Sequence, residues 1–257
     1  MQASGDISSL PQVAADVLAC VRDRRPAVHC ITNSVAQAFT ANTLLAVGAV
    51  PSMTISAAEI GIFAERADAL LVNLGTFDGE RREAVLAALE VVRHLGRPWV
   101  LDPVLIDRSP PRAGFARSLL SRKPSAMRLN AGELRALGGQ PDRAGVGDFA
   151  KDTSMVIALS GATDLIGDAR RVAALANGHP HMARVTALGC AVSALTAACI
   201  ACADDPWKGS VSALLIAGVA GEMAGESATG PGSFAAAFLD ALFNLNAATL
   251  TQRAKVS

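Results

Sequence analysis

The sequence has no tyrosine, and aromatic side chains make up only 4% of its 257 residues. Proteins that recognise single-stranded nucleic acids stack the bases on aromatic side chains, so this scarcity argues against that function. Alanine, leucine and valine must then fill the core, which requires helices that pack closely. A chain of this length can form one large α/β domain or two small ones.

An excess of charge of either sign is also missing. Lysine and arginine together number 23, aspartate and glutamate also number 23, and charged residues make up only 18% of the chain. Neither a basic surface for nucleic acids nor a charged disordered tail is indicated. We therefore expect a small-molecule or weakly charged partner and no nucleic acid.

The sequence predicts neither a leader peptide nor a clear membrane span. Residues 1–6 are polar and carry no basic cluster followed by an apolar run. The uncharged stretch 185–203 approaches the length of a span, but it consists mostly of Ala, Thr, Ser, Cys and Gly, which favours a buried helix over a membrane helix. An odd number of cysteines, five, makes a reducing cytoplasm the expected location.

The familiar phosphate-binding loop is missing as well. No Gly-x-x-x-x-Gly-Lys-Ser/Thr occurs, and the lysines Lys123, Lys151, Lys208 and Lys255 lie in no glycine-rich turn. This excludes a P-loop enzyme. Residues 145–150 match the dinucleotide pattern Gly-x-Gly-x-x-Ala, but they follow a polar stretch instead of a buried strand, so the match carries little weight.

Apolar runs of strand length alternate with helical patterns over the first two thirds of the chain. The predicted strands are 27–31, 50–54, 69–74, 99–101, 126–129 and 155–159, and the predicted helices between them are 35–47, 57–66, 80–95 and 114–122. We expect a loop at 138–147, a hairpin at 164–168 and 171–175, and helices at 189–203, 207–228 and 233–246. This order predicts an α/β fold in one domain over residues 1–257, with a mostly parallel central sheet, helices on both faces and a helical C-terminal part.

Two carboxylates follow predicted strands, where parallel sheets bind their ligands. Asp102 precedes a proline at a strand end, and Glu133 belongs to Asn130-Ala131-Gly132-Glu133. Together they would suit Mg²⁺ with nucleotide phosphates. The alternatives are a turn residue for Asp102 and a first-turn helix residue for Glu133.

Cys190 differs from the other cysteines because it stands at the start of the long uncharged helix, after residues 186–189. Free backbone amides and the positive end of the helix dipole could hold a phosphate there and favour a thiolate. A small residue that permits close packing is the alternative. Cys199 and Cys202 fall inside the same predicted helix and are interpreted as core residues, and the His-Pro-His at 179–181 is interpreted as structural.

Seven stretches in this order and spacing resemble the hydroxyethylthiazole kinase family of the ribokinase-like superfamily, over nearly the whole chain. They are Val28-His29-Cys30-Ile31-Thr32-Asn33, Asn73-Leu74-Gly75-Thr76, Val100-Leu101-Asp102-Pro103-Val104, Arg128-Leu129-Asn130-Ala131-Gly132-Glu133, Asn177-Gly178-His179-Pro180, Gly189-Cys190 and Gly230-Pro231-Gly232-Ser233-Phe234.

The resemblance implies ATP-dependent phosphorylation of the primary alcohol of 4-methyl-5-(2-hydroxyethyl)thiazole in thiamine salvage, with Mg²⁺, by a homotrimer whose sites lie near subunit boundaries. It also implies roles for single residues: a thiazole pocket of Asn33, Val35, Met53 and Gly75, ATP contacts from Arg128 and Ser160, Asp102 and Glu133 beside Mg²⁺, an anion hole of Ala187 and Gly189, and Cys190 as the catalytic residue. Cys190 would orient the alcohol and act as a base with a lowered pKa.

Two stretches depart from the family pattern. The family's turn Thr-Gly-Thr-Gly-Cys reads Thr186-Ala187-Leu188-Gly189-Cys190 here, and the glycine-containing stretch after Asp-Pro-Val is replaced by residues 105–109. A positive φ at Ala187 would strain the turn. Two other functions therefore stay open: a kinase for another hydroxymethyl heterocycle of the pyrimidine or pyridoxal type, and a catalytically impaired protein that binds thiazole or nucleotide.

Overall fold

An eight-stranded sheet forms the centre of the computed structural model, which describes residues 7–257. The order across the sheet is β2-β1-β3-β4-β5-β6-β7-β8, with β1 to β6 parallel and β7 antiparallel to both of its neighbours, β6 and β8. The strands are β1 (Ala27–Ile31), β2 (Val50–Ser52), β3 (Ala69–Asn73), β4 (Trp99–Asp102), β5 (Ala126–Asn130), β6 (Val156–Ser160), β7 (Asp164–Gly167) and β8 (Val172–Leu175).

Helices cover both faces of the sheet. They are α1 (Leu10–Arg24), α2 (Gln37–Val47), α3 (Ile60–Arg66), α4 (Gly79–His94), α5 (Pro110–Leu120), α6 (Ala131–Ala136), α7 (Arg143–Thr153), α8 (Leu188–Cys202), α9 (Pro206–Ser227), α10 (Pro231–Asn244) and α11 (Ala247–Arg253), with short 3₁₀ helices at Ile7–Ser9 and Pro180–Arg184. One apolar core contains residues of α1, α2 and α8 to α11, and the other contains residues of α3 to α7.

Strand side chains supply both cores by the alternation of a pleated strand. In β3, Leu71 points into the first core, while Leu70 and Val72 point into the second. Because both faces are covered, the strands show continuous apolar runs in the sequence, which is the signal that predicted them.

Helix α8 is the predicted uncharged helix, and it lies inside the first core with most of its side chains buried. Its many alanines permit close packing against α9 and α2. Within residues 7–257, no single helix is long and apolar enough to cross a membrane, and α10 with α11 would reach that length only as a pair bent by 115°.

The six parallel strands, the hairpin and the helices α2 to α5 and α8 to α10 confirm the predicted elements. The predicted loop at 138–147 is wrong from Arg143, where α7 begins. Two interior glycines lower its helix propensity, at roughly 1 kcal/mol each, yet a Cβ on Gly145 would lie 2.4 Å from the Gln140 carbonyl oxygen. Close packing therefore requires glycine in this helix, and the Gly-x-Gly-x-x-Ala match is part of it.

Candidate active site

The ends of the parallel strands bring the predicted polar residues to one edge of the sheet. Asn73 and Asp102 are register partners at the ends of β3 and β4, and Asn130 and Ser160 are partners at the ends of β5 and β6. The carboxyl edge therefore aligns side chains that lie far apart in the sequence.

Asp102 is a buried carboxylate held by two donors. Its Oδ2 accepts a hydrogen bond of 2.8 Å from Ser193 Oγ on α8 and one of 2.7 Å from Asn73 Nδ2. Burial raises the pKa of Asp102, whereas the charge of Arg128 and the two hydrogen bonds oppose this rise. Sequence reasoning assigned no role to Ser193 or Asn73, because their contact with Asp102 joins three separate elements.

Asn73 connects Asp102 to Asn33 and Gly75. Its Oδ1 accepts from Asn33 Nδ2 at 3.2 Å and from the Gly75 amide at 2.9 Å. Asn33 Nδ2 also donates to Cys190 Sγ at 3.3 Å. A Cβ on Gly75 would lie 2.5 Å from Asn33 Nδ2, so this close approach requires glycine. The structure thus brings Asn33, Gly75 and Cys190 together.

The thiol of Cys190 does not have the lowered pKa that the sequence predicted. Burial, and next the charge of Asp102, raise its pKa to about 11. The prediction is wrong because it considered the helix start alone and not the carboxylate beyond it. At neutral pH the thiol is therefore protonated.

The first turn of α8 has no side-chain cap among the described residues. Its N-cap residue, Ala187, has a φ of 73°, which confirms the positive φ that would strain an alanine. A Cβ on Gly189 would lie 3.0 Å from Arg128 Nη1, so the backbone of this turn faces a guanidinium group directly. Uncapped amides beside a positive charge form a suitable place for a phosphate.

A cavity of about 730 Å³ adjoins this turn, lined among others by Arg128, Ser160 and Gly189. Arg128 Nη2 donates to Ser160 Oγ at 3.1 Å, and the buried Arg128 Nε has no partner among the described residues. Asp164 also lines the cavity, and sequence reasoning did not single it out. Burial raises the pKa of Asp164 to about 6. The volume is in the range of cavities that hold a molecule of nucleotide size.

Glu133 caps α6 and also lies near Asp102. Its Oε2 accepts from the Asn130 amide at 2.9 Å, completing a capping box, and its Oε1 accepts from the Leu105 amide at 2.9 Å. Burial is the largest cause that raises the pKa of Glu133, and the charge of Asp102 adds to it. The first-turn interpretation of Glu133 is confirmed. Leu105 has a φ of 59°, so both stretches that depart from the family pattern contain a non-glycine residue in the left-handed region.

The donor set limits how a metal could be held. Among residues 7–257, no group of three or more His, Cys, Asp or Glu side chains could hold a metal ion by itself. Asp102 and Glu133 fit Mg²⁺, which is usually held through one or two carboxylates, substrate phosphates and water.

Val35 and Met53 both have exposed surface in the isolated chain. Val35 is 75% exposed, and Met53 is partly buried just after β2. The buried His29 holds this segment, because its Nδ1 lies 2.8 Å from Ser52 Oγ and its Nε2 lies 2.9 Å from the Thr54 carbonyl oxygen.

The motifs interpreted as structural lie in packed surroundings. His179 and His181 both pack on Phe234, with ring centroids 5.4 Å and 5.7 Å away. Cys199 is fully buried within α8 and Cys202 partly buried at its end. The cysteine pair lies away from the site at the sheet edge, whereas His179 also lines the cavity of about 730 Å³ beside Arg128 and Ser160.

Comparison with known proteins agrees with this geometry. The model of the "Hydroxyethylthiazole kinase family" matches residues 18–248. The chain belongs to this family. It is 40% identical over 253 residues to a probable hydroxyethylthiazole kinase of Agrobacterium fabrum, covering 98% of each chain.

A solved structure of this family and a more distant solved structure agree with the fold. A hydroxyethylthiazole kinase from Pyrococcus horikoshii superposes with a TM-score of 0.92 at 38% identity, covering 96% of this chain and 98% of that one. A ribokinase-like superfamily protein from Enterococcus faecalis, at 13% identity, has a TM-score of 0.64 over 84% of this chain and 86% of its own, and this likeness concerns the fold alone.

Membership of this family gives the chain its reaction. It is a phosphotransferase with an alcohol acceptor, and it phosphorylates the hydroxyethyl group of 4-methyl-5-(2-hydroxyethyl)thiazole in thiamine salvage, with ATP as the donor.

Proposed function

We propose that the carboxyl edge of the sheet is a kinase site with two sides, in which ATP occupies the 730 Å³ cavity and the thiazole alcohol lies beside Cys190. The observation that carries this proposal is the uncapped first turn of α8, which lies between the cavity and the thiol and faces Arg128. A phosphoryl group transferred from one side to the other must pass this turn.

On the nucleotide side, Arg128 and Ser160 hold the phosphates, and the amides at Gly189 and Cys190 receive the γ-phosphate, with Ala187 setting the direction of the turn. Phosphoryl transfer depends mostly on alignment and on stabilisation of negative charge. A guanidinium group and a helix N-terminus supply both in a chain that has no P-loop lysine.

Asp102 and Glu133 would hold Mg²⁺ together with phosphate oxygens and water, and the ion would neutralise charge on the phosphates. Asp102 is suited to this role because its Oδ2 accepts the hydrogen bonds from both Ser193 and Asn73, and its Oδ1 is left for the ion. Glu133 has both of its oxygens on backbone amides and acts at longer range.

On the acceptor side, Asn33, Val35, Met53 and Gly75 line the thiazole pocket. The Oδ1 atom of Asn33 is buried without a partner among the described residues, so it is available to a donor on the substrate. Because the Cys190 thiol is protonated at neutral pH, we assign it the orientation of the alcohol in preference to removal of its proton.

We further propose that residues 1–257 form one kinase domain, supported by the single sheet, and that the enzyme is a homotrimer in the reducing cytoplasm. Exposed apolar side chains on β2 and its neighbouring segments support an interface there, and they are Val35, Leu45, Val50, Ile62 and Phe63. An edge strand with such neighbours favours burial between subunits. Light scattering should give three times the monomer mass.

A steady-state assay with ATP, Mg²⁺ and a panel of hydroxymethyl and hydroxyethyl heterocycles tests the proposal. We expect the thiazole alcohol to have the highest kcat/KM. Preferred turnover of a pyrimidine or pyridoxal alcohol would move the acceptor assignment to another heterocycle. Binding of thiazole and nucleotide without turnover would mean that the strained turns at Ala187 and Leu105 have disabled the site.

A further inference from the structure

Three of the five cysteines lie together at the end of α8 that is remote from Cys190. Cys199 and Cys202 belong to the last turn of α8, and Cys20 lies on the neighbouring helix α1. Cys199 is fully buried, whereas Cys20 and Cys202 are partly buried and reach the surface. The kinase mechanism uses none of the three.

Burial, and next the thiol of Cys20, raise the pKa of the Cys202 thiol to about 12, so the two side chains are neighbours, and Arg24 and Asp68 are the charged groups that act on them. A side-chain hydrogen bond ties α1 to the end of α8 beside this pair. Arg24, one helical turn after Cys20, donates from Nη1 to the carbonyl oxygen of Ala201 at 3.2 Å, and Ala201 directly precedes Cys202. Helices α1 and α8 pack against each other. Two neighbouring thiols on two packed helices are placed where a disulfide could join the helices.

We propose that Cys20 and Cys202 are a redox-active dithiol, which a peroxide oxidises reversibly to a disulfide that joins α1 to the last turn of α8.

The reaction balances with hydrogen peroxide as the oxidant. The Cys20 thiol loses its proton, its sulfur attacks one oxygen of the peroxide, and the O–O bond breaks to release hydroxide, which takes up a proton to form water. Cys20 is then a sulfenic acid. The sulfur of Cys202 attacks the sulfur of Cys20, the S–O bond breaks, and a second water leaves with the proton of Cys202. The thiols lose two electrons and two protons in total, and the peroxide is reduced to two waters.

Burial and position select this pair. Cys199 has no exposed surface, so a peroxide does not reach it. Cys190 lies at the other end of the same helix, at about 18 Å for a rise of 1.5 Å per residue. We therefore expect the oxidised enzyme to keep its kinase activity. The disulfide closes a loop of most of the chain and should raise the melting temperature by about 5 °C.

The test uses the chain of 257 residues, which is treated with one equivalent of hydrogen peroxide, alkylated and mapped by mass spectrometry of its peptides. We expect one intramolecular link, Cys20 to Cys202, with a loss of two hydrogen atoms and recovery of both thiols after reduction. Cys20→Ser and Cys202→Ser should each abolish the link and the rise in melting temperature. The matched control Cys199→Ser, on the same helix turn, should keep both.

Several results would overturn the proposal. They are alkylation of Cys20 and Cys202 after peroxide treatment of the wild-type chain, a link from Cys20 to Cys199, and a link between two chains on a non-reducing gel. The mapping of the wild-type chain decides the question even where a serine variant fails to fold.

Discussion

Two helices, α6 and α8, begin at the carboxyl edge of the sheet, and they differ in whether side chains cap their first backbone amides. In α6, the side chain of Asn130 accepts from the amides of Gly132 and Glu133 at 2.9 Å and 3.0 Å, and Glu133 completes the capping box. In α8, Ala187 stands at the N-cap, and no side chain caps the turn in the part of the chain that the structure describes. The amides of α6 stabilise the fold, whereas those of α8 are left for a ligand.

The two helix starts also share a residue type, which makes them directly comparable. The second residue of each is glycine, Gly132 in α6 and Gly189 in α8. A Cβ on Gly132 would lie 3.3 Å from side-chain oxygens of Asn130 and Asp107, whereas one on Gly189 would lie 3.0 Å from Arg128 Nη1. The same substitution therefore probes a cap in one helix and the phosphate site in the other.

The largest effect should come from Gly189→Ala. The added methyl group displaces the Arg128 guanidinium and fills the space of the γ-phosphate, so kcat should fall by about 100-fold, in the range seen for loss of a charge-stabilising donor. Steady-state kinetics with saturating ATP measures it. Gly132→Ala is the matched control and should change kcat less than about threefold. Equal losses in the two variants would contradict the distinction between the two helix starts.

The pH dependence of Cys190 alkylation should show the raised pKa. A raised pKa keeps the thiol neutral, so the rate should rise with pH to a midpoint near 11, well above the ordinary value of about 8.5. Pulse alkylation with mass spectrometry of the Cys190 peptide measures this. Because the charge of Asp102 is the second cause of the rise, Asp102→Asn should lower the midpoint. A wild-type midpoint below about 8.5 would contradict the raised pKa and support a thiolate at Cys190.

A smaller loss of activity should follow from Cys190→Ala. A neutral thiol that orients the alcohol contributes less than a full general base, whose effect is about 10² to 10⁴, and we expect kcat to fall about 10-fold while KM changes little. Cys190→Asp should retain activity because a carboxylate suits the helix start and can orient the alcohol by accepting a hydrogen bond from it. Cys202→Ala, on the far end of the same helix, is the control. An unchanged kcat in Cys190→Ala would remove the thiol from the mechanism.

The smallest effect concerns stability. Asn130→Ala removes the cap of α6 and should lower the free energy of unfolding by about 1 kcal/mol, as measured by urea titration. Asp142→Ala removes the N-cap hydrogen bond of α7, from Gly145 at 2.8 Å, and should cost a similar amount. An unchanged free energy of unfolding in Asn130→Ala would mean that the cap does not stabilise α6.

The sequence predicts the sheet well because its strands are buried on both faces. Such strands appear as apolar runs, and β1 matches the predicted 27–31 at both ends. Helices α1 and α11 were not among the predicted elements, although Leu10, Leu18 and Val21 of α1 show the spacing of a buried helical face. Helix α7 could not be predicted from propensity, because its glycines are explained only by the neighbours they pack against.

The candidate site likewise contains features that local sequence predicts and features that depend on contacts between distant segments. Strand ends and a helix start are local features, so the residues alone predict Asp102 and Cys190 as site residues, whereas Arg128 and Ser160 are predicted from the family resemblance. The sign of the Cys190 pKa shift depends on burial and on Asp102, which comes from another strand. The contact of Ser193 with Asp102 likewise joins a helix to a strand 91 residues away.

The central claim is that the first amides of α8 receive the γ-phosphate. A crystal structure with a non-hydrolysable ATP analogue and Mg²⁺ tests it most directly. The account predicts γ-phosphate oxygens within hydrogen-bonding distance of the amides of Gly189 and Cys190, with Arg128 on the same phosphates. A terminal phosphorus bound elsewhere, with no amide of α8 in contact, would contradict it.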